Sequence, residues 1–112
     1  MQEEIDTDKP VHIHSGDDLE EIVSVGDVVL VDFYADWCGP CRLLEPILEQ
    51  VAAKTEAVVA KIDIDEQRGL ATAYQVRSVP TMVLFVDGTV VEQLVGVQDE
   101  KTLTERIEEY AR

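Results

Sequence analysis

Apolar positions repeat along this chain in two rhythms, and each switch between them marks a new element. Val11-His12-Ile13-His14 alternates with a period of two, as a short strand does, with Val and Ile on one face and both histidines on the other. Ser15 followed by Asp18 has the form of a capping box, and Leu19, Ile22 and Val23 supply a short helical face that Gly26 and Asp27 stop. Val28 to Tyr34 is apolar on both alternating faces except at Asp32, the pattern of a central strand covered from both sides. Leu43, Leu44, Ile47, Leu48, Val51 and Ala52 return to helical spacing. Pro46 removes a hydrogen bond inside that helix, and the pattern on both sides of it predicts a kink rather than an end.

Ala57 to Ile64 reads as a second buried strand, with Lys61 inside it. Asp65 or Glu66 then begins a short helix running through Leu70, Ala71, Ala73 and Tyr74. Met82 to Val86 forms a strand, Asp87-Gly88 a two-residue hairpin turn, and Thr89 to Val95 an antiparallel return that Gly96 ends. Leu103, Ile107, Tyr110 and Ala111 define a last amphipathic helix, for which Asp99 is a cap. The order β-α-β-α-β-α-β-β-α predicts an α/β domain over residues 10–112. Its central mixed sheet of about five strands is parallel in the N-terminal part and antiparallel in the C-terminal hairpin, with about four helices on both faces. Residues 1–9 are acidic and polar and are expected to form a flexible leader.

Both cysteines of the chain lie in Trp37-Cys38-Gly39-Pro40-Cys41, between the apolar strand and the helix. A strand therefore delivers a dithiol to a helix N-terminus, where unpaired N–H groups and aligned peptide dipoles favour the thiolate that attacks disulfides. The second sulfur, one turn further on, is placed to displace what the first has captured. A zinc site would need further ligands, and only His12 and His14 remain, on a different strand. A structural disulfide closing so small a loop would restrain little of the unfolded chain. Cys-x-x-Cys after a strand in a βαβ pattern reads instead as a redox motif. Asp32 has two readings, a polar group satisfied by a backbone donor or a buried proton acceptor beneath the dithiol. Lys61 is expected to lie near Asp32 and to hold its pKa down against desolvation.

The charge changes the picture of the surface. Across 112 residues, 24 Asp and Glu stand against 9 Lys and Arg, a net charge of −15, and the acids recur from Glu3 to Glu109. A coat of this kind argues against nucleic-acid and anionic-membrane partners, which need a basic footprint. It also repels itself in dilute buffer, which suggests adaptation to a salty cytoplasm against the simpler alternative of an acidic but non-halophilic protein. The longest apolar run, Met82 to Val86, is too short to span a bilayer. Residues 1–10 lack the positive start and apolar centre of a signal peptide, so a reducing, cytoplasmic location is expected.

Val31-Asp32-Phe33-Tyr34-Ala35-Asp36-Trp37-Cys38-Gly39-Pro40-Cys41 resembles the active-site segment of the thioredoxin family. The likeness continues through Pro46-Ile47-Leu48, Ala60 to Asp65, Tyr74 to Thr81 and Phe85 to Gly88, ending near Gly96, and it implies a thioredoxin fold. The resemblance implies that Cys38 is the exposed attacking cysteine and Cys41 the buried resolving one, the two closing a redox disulfide. It implies that Asp32 is the acid/base serving Cys41, that Lys61 is the lysine beside it, and that Pro80 follows a cis bond. Trp37, Gly39, Pro40, Val79, Pro80 and Gly96 would form a flat, mostly apolar docking surface. Tyr34 departs from the tryptophan common in the family, and Arg42 from the commoner lysine. The activity implied is reduction of protein disulfides, with no cofactor of its own, by a protein recharged by a separate thioredoxin reductase or equivalent donor. We expect a monomer. Two alternatives stay open: an oxidase or isomerase of the same fold, and a binding module using the dithiol face.

Overall fold

The computed structural model describes residues 8–111. The leader expected over residues 1–9 therefore lies mostly outside the described residues, of which Asp8 and Lys9 are exposed. The elements follow in the expected order: β1 (Val11–His12), α1 (Gly16–Val25), β2 (Val28–Tyr34), α2 (Gly39–Lys54), β3 (Val58–Asp63), α3 (Arg68–Ala73), β4 (Thr81–Val86), β5 (Thr89–Val95) and α4 (Glu100–Tyr110).

The five strands form one sheet in the order β1-β3-β2-β4-β5. β2 is the middle strand, parallel to β3 with Asp32 opposite Lys61, and antiparallel to β4 with Asp32 opposite Met82. Burial on both faces explains its near-continuous apolar run. Val28 and Leu30 turn toward α2 and α4, where they pack with Leu44, Leu48, Val51, Val59, Met82, Leu84, Leu103 and Ile107. Val29, Val31 and Phe33 turn the other way, onto Leu19 of α1 and Leu70 and Tyr74 at α3. Asp87 and Gly88 both have positive φ, 51° and 82°, as a type I′ hairpin turn requires.

The local signals differ from the structure in four places. Ser15 caps α1 by accepting from the Asp18 amide, but Asp18 Oδ2 accepts from the His14 amide rather than returning to Ser15, so the reciprocal box is shifted by one residue. Leu43 is 67% exposed, because the stripe of α2 that meets the sheet runs Cys41, Leu44, Leu48, Val51 and Ala52. α3 begins at Arg68, later than Asp65 or Glu66, because Asp63 Oδ1 accepts from both those amides and holds them in a turn; Ala73 is exposed. Ala111 is exposed and caps α4 rather than packing beneath it. α2 does run unbroken past Pro46.

The burial of α2 is tested by paired truncations. Leu48→Ala removes a fully buried side chain and is expected to cost about 3 kcal/mol, whereas Leu43→Ala costs less than about 0.5 kcal/mol. Urea unfolding of both variants measures the difference.

Candidate functional site

The site is built where β2 ends and α2 begins. Cys38 takes an extended backbone conformation and is the N-cap of α2, and its Sγ accepts from the Cys41 amide at 3.1 Å. Gly39 and Pro40 form the start of the helix, where proline's missing N–H costs nothing and its fixed φ suits the first turn. Cys38 and Cys41 are joined in a disulfide, with Cα atoms 5.3 Å apart. This cap places the first sulfur against the positive end of the helix, which favours its anionic form once the disulfide is reduced.

The openly exposed Cys38 of the sequence reading is corrected: it is 4% exposed and Cys41 2%. In the disulfide-bonded form Cys38 and Cys41 pack with Ala35 against Tyr34, Ile64 and Val79. Exposure belongs to the neighbours. Trp37 is 68% exposed, held by its Nε1 donating to Asp65 Oδ2 at 2.9 Å, and Gly39 and Pro40 are also exposed. Arg42 donates to the Asp36 carbonyl at 2.9 Å.

The other wall comes from the segment before β4. The Val79–Pro80 bond is cis, and the Val79 carbonyl oxygen lies 3.7 Å from Cys38 Sγ. The Pro80 carbonyl accepts from the Gly96 amide at 2.8 Å, which ties the end of β5 to this wall. Gly96 has φ of 89°, a conformation that L side chains rarely adopt, so the residue type is required here. Val79 is half-buried and Pro80 is buried, so Pro80 shapes the wall from beneath rather than offering a face of its own.

Asp32 follows Leu30 on the α2 side of β2, the side onto which Cys41 and Leu44 also turn. It is fully buried, and neither carboxylate oxygen has a hydrogen-bond partner among the described residues, which overturns the reading of a satisfied polar group. Burial raises its pKa to about 7, Lys61 pulls the other way, and Glu45 pushes it further up. Lys61 thus stands beside Asp32 as expected, yet desolvation outweighs it. Its Nζ lies 3.9 Å from Glu45 Oε1 and 4.4 Å from the centroid of the Tyr34 ring. The Tyr34 hydroxyl is 3.5 Å from His12 Nδ1, and burial followed by nearby Asp63 raises its pKa. Sequence reasoning missed Glu45. Its only signal was a position four residues after Cys41, on the flank of the stripe that faces the sheet.

His12 stands beside this cluster, opposite Lys61 in the pairing of β1 with β3. His14 Nδ1 meets Glu66 Oε1 at 2.9 Å, and the two histidine rings stack with centroids 6.2 Å apart. Among the described residues no group of three or more His, Cys, Asp or Glu is arranged to hold a metal ion.

The orphaned carboxyl has a consequence for stability. Its pKa rises from the ordinary 3.8 to about 7 on folding, so between those values the folded chain holds more protons than the unfolded one. Stability conferred by the protonated carboxyl is present below about 3.8 and is lost as pH rises through 7. Asp32→Asn is therefore expected to stabilise the oxidised protein at pH 8, by at most about 4 kcal/mol, and to have little effect at pH 4. Urea denaturation of the variant and the parent across that range measures it.

The arrangement recurs in known proteins. The family model "Thioredoxin" matches residues 10–109. A thioredoxin of Chlamydia pneumoniae is 46% identical over 102 residues, covering 90% of this chain and 99% of that protein. Among solved structures, a point mutant of thioredoxin from Halobacterium salinarum NRC-1 superposes with a TM-score of 0.94 at 52% identity, over 98% of this chain and 97% of its own. A structure concerned with thiol resolution of yeast mitochondrial 1-Cys peroxiredoxin via glutathione/thioredoxin systems superposes with a TM-score of 0.80 at 27% identity, over 88% of this chain and 93% of its own. With its five-stranded mixed sheet, its helices on both faces and a redox-capable cysteine pair capping α2, the chain belongs to the thioredoxin family and is a thiol-disulfide oxidoreductase able to reduce protein disulfides.

Proposed function

We propose that electrons pass through the cysteines in a fixed order, Cys38 attacking and Cys41 resolving. The observation that carries this is the cap: Cys38 Sγ, not Cys41 Sγ, accepts the helix amide and lies beside the exposed Trp37-Gly39-Pro40 surface. In the reduced protein the Cys38 thiolate attacks one sulfur of a substrate disulfide and forms a mixed disulfide, while the second substrate sulfur leaves as a thiolate and takes a proton from solvent. Cys41 then gives its proton to Asp32, and its thiolate attacks Cys38 Sγ. The Cys38–Cys41 disulfide forms, the first substrate sulfur leaves and is protonated, and two electrons have moved to the substrate. Asp32, kept near the neutral range by burial, returns its proton to solvent.

Lys61 tempers Asp32 in this scheme. Trp37, Gly39, Pro40, Val79, Pro80 and Gly96 receive the substrate chain, with the Val79 backbone beside the reacting sulfur. The partners are proteins carrying disulfides, a reading supported by the neighbour solved in work on peroxiredoxin resolution. A separate reductase recharges the pair, and the protein works as a cytoplasmic monomer whose domain spans residues 10–112. Among the described residues no helix is long and apolar enough to cross a membrane.

The acidic coat is read as adaptation to salt. Support comes from the net charge of −15 spread over the whole chain and from the likeness to a protein of a halophile, Halobacterium salinarum. At about 1 M salt the screening length falls to roughly 3 Å, and most of the self-repulsion is gone.

Reduction of a model protein disulfide by a chemical dithiol tests the order of attack. Cys38→Ala is expected to abolish turnover, and Cys41→Ser to accumulate a mixed disulfide visible as a heavier species on a non-reducing gel. Partner binding that survives loss of both sulfurs, with no turnover in the folded parent, would overturn the carrier reading. The salt reading predicts a Tm at least about 5 °C higher in 1 M KCl than in dilute buffer.

A further inference from the structure

Lys61 stands opposite Asp32 in the parallel pairing of β2 and β3, yet its ammonium is engaged elsewhere. Nζ is 3.9 Å from Glu45 Oε1 and 4.4 Å from the centre of the Tyr34 ring, and no ion pair joins it to Asp32. A buried carboxylate beside a lysine is strongly driven to pair with it, because an uncompensated charge in the interior is costly. Here both competing groups draw the ammonium outward: the Lys61 side chain is 10% exposed and that of Glu45 51%. The Tyr34 ring adds a cation–π contact that fixes the same position.

We propose that Glu45 is a positioning residue of the thiol chemistry: together with the Tyr34 ring it holds the Lys61 ammonium off Asp32, so that the buried carboxyl exchanges protons instead of being locked as a counter-ion. The proposal rests on the reading of Asp32 as proton acceptor for Cys41. Glu45 lies one helical turn beyond Cys41, so the helix that carries the resolving sulfur also carries the group that frees its base.

The remaining surroundings of the pair leave Glu45 as the principal competitor. From β4 Asp32 faces Met82, which carries no charge, and α4 turns Leu103 and Ile107 inward. His12 of β1 is the register partner of Lys61, and its Nδ1 approaches the Tyr34 hydroxyl. Asp8, Lys9 and Glu49 line the cleft of about 420 Å³ into which Lys61 opens. Glu45 forms an ion pair with Lys61 and also acts on Asp32.

Carbon-13 NMR titration of the Asp32 carboxyl in the oxidised protein tests this, using Glu45→Gln, Lys61→Met and the double variant, with Asp32→Asn assigning the signal. Glu45→Gln is expected to lower the Asp32 midpoint by roughly 1 pH unit, since the freed ammonium turns inward. With Lys61→Met in the background the same change should lower it by less than roughly half as much. An unmoved midpoint in Glu45→Gln, or an equal drop in both backgrounds, overturns the proposal; in the second case Glu45 acts by its own field and not through Lys61. The rate of disulfide reduction against pH is followed in parallel, and its Asp32-dependent limb should move with the midpoint. If the midpoint falls as expected while the rate profile stays in place, the positioning role stands and the proton-acceptor reading of Asp32 is what fails.

Discussion

β2 must be dry on both faces, because it runs down the middle of the sheet with a helix layer above and below it. That constraint governs the rest. It selects Val, Leu and Phe along the strand, fixes the register with β3 and β4, and leaves the strand's C-terminal end as the place where the chain can return to the surface. The cysteine pair sits at that exit, on the first turn of the helix that covers the strand. A polar residue on β2 below the exit is buried with the strand, so Asp32 is held in a low-dielectric setting by the packing that stabilises the fold. Core and chemistry are consequences of one burial.

The strength of the site lies in how many separate segments close on it. The cap of α2, the wall around Pro80 and the end of β5 are linked through Cys38 Sγ, the Val79 and Pro80 carbonyls and the Gly96 amide. Each link is a backbone or sulfur contact rather than a long side chain, so little conformational freedom remains to be lost when a substrate docks. Acidic charge on the outer surface leaves these contacts untouched, which is how a coat this negative can coexist with thiol chemistry that uses anions. The helix N-terminus supplies the local positive field that the net charge would otherwise deny the sulfur.

Much of this was legible in the chain. The two rhythms of apolar residues gave every element in order, and Asp87-Gly88 carried its turn type openly, since both residues had to take positive φ. Cys38 and Cys41 were legible because strand, dithiol and helix are contiguous. What failed were features decided across the sheet or by side-chain hydrogen bonds. Leu43 and Leu44 each head an apolar row along the helix, Leu43 with Ile47 and Val51 and Leu44 with Leu48 and Ala52, and only the direction of the sheet buries one and exposes the other. Asp63 delays α3 through an oxygen that competes for amides, which no periodicity reveals. The burial of Cys38 depends on Val79, far away in sequence, and the pairing of Lys61 with Glu45 depends on how α2 lies over β3. The cis bond before Pro80 was legible only through the family likeness.

The sheet ends at β5, an edge strand with Val90, Val91 and Val95 exposed on it. Between Phe85↔Val90 and Leu84↔Glu92 the register slips by one residue, so Val91 bulges out of the ladder. A net charge of −15 sets two copies repelling one another in dilute buffer, and molar salt screens that repulsion. A bulge interrupts the row of free backbone groups and twists it, which hinders a second copy from adding its own strand whatever the ionic strength. If the acidic coat is an adaptation to salt, as proposed, this irregularity opposes edge-to-edge pairing by a means that salt cannot screen.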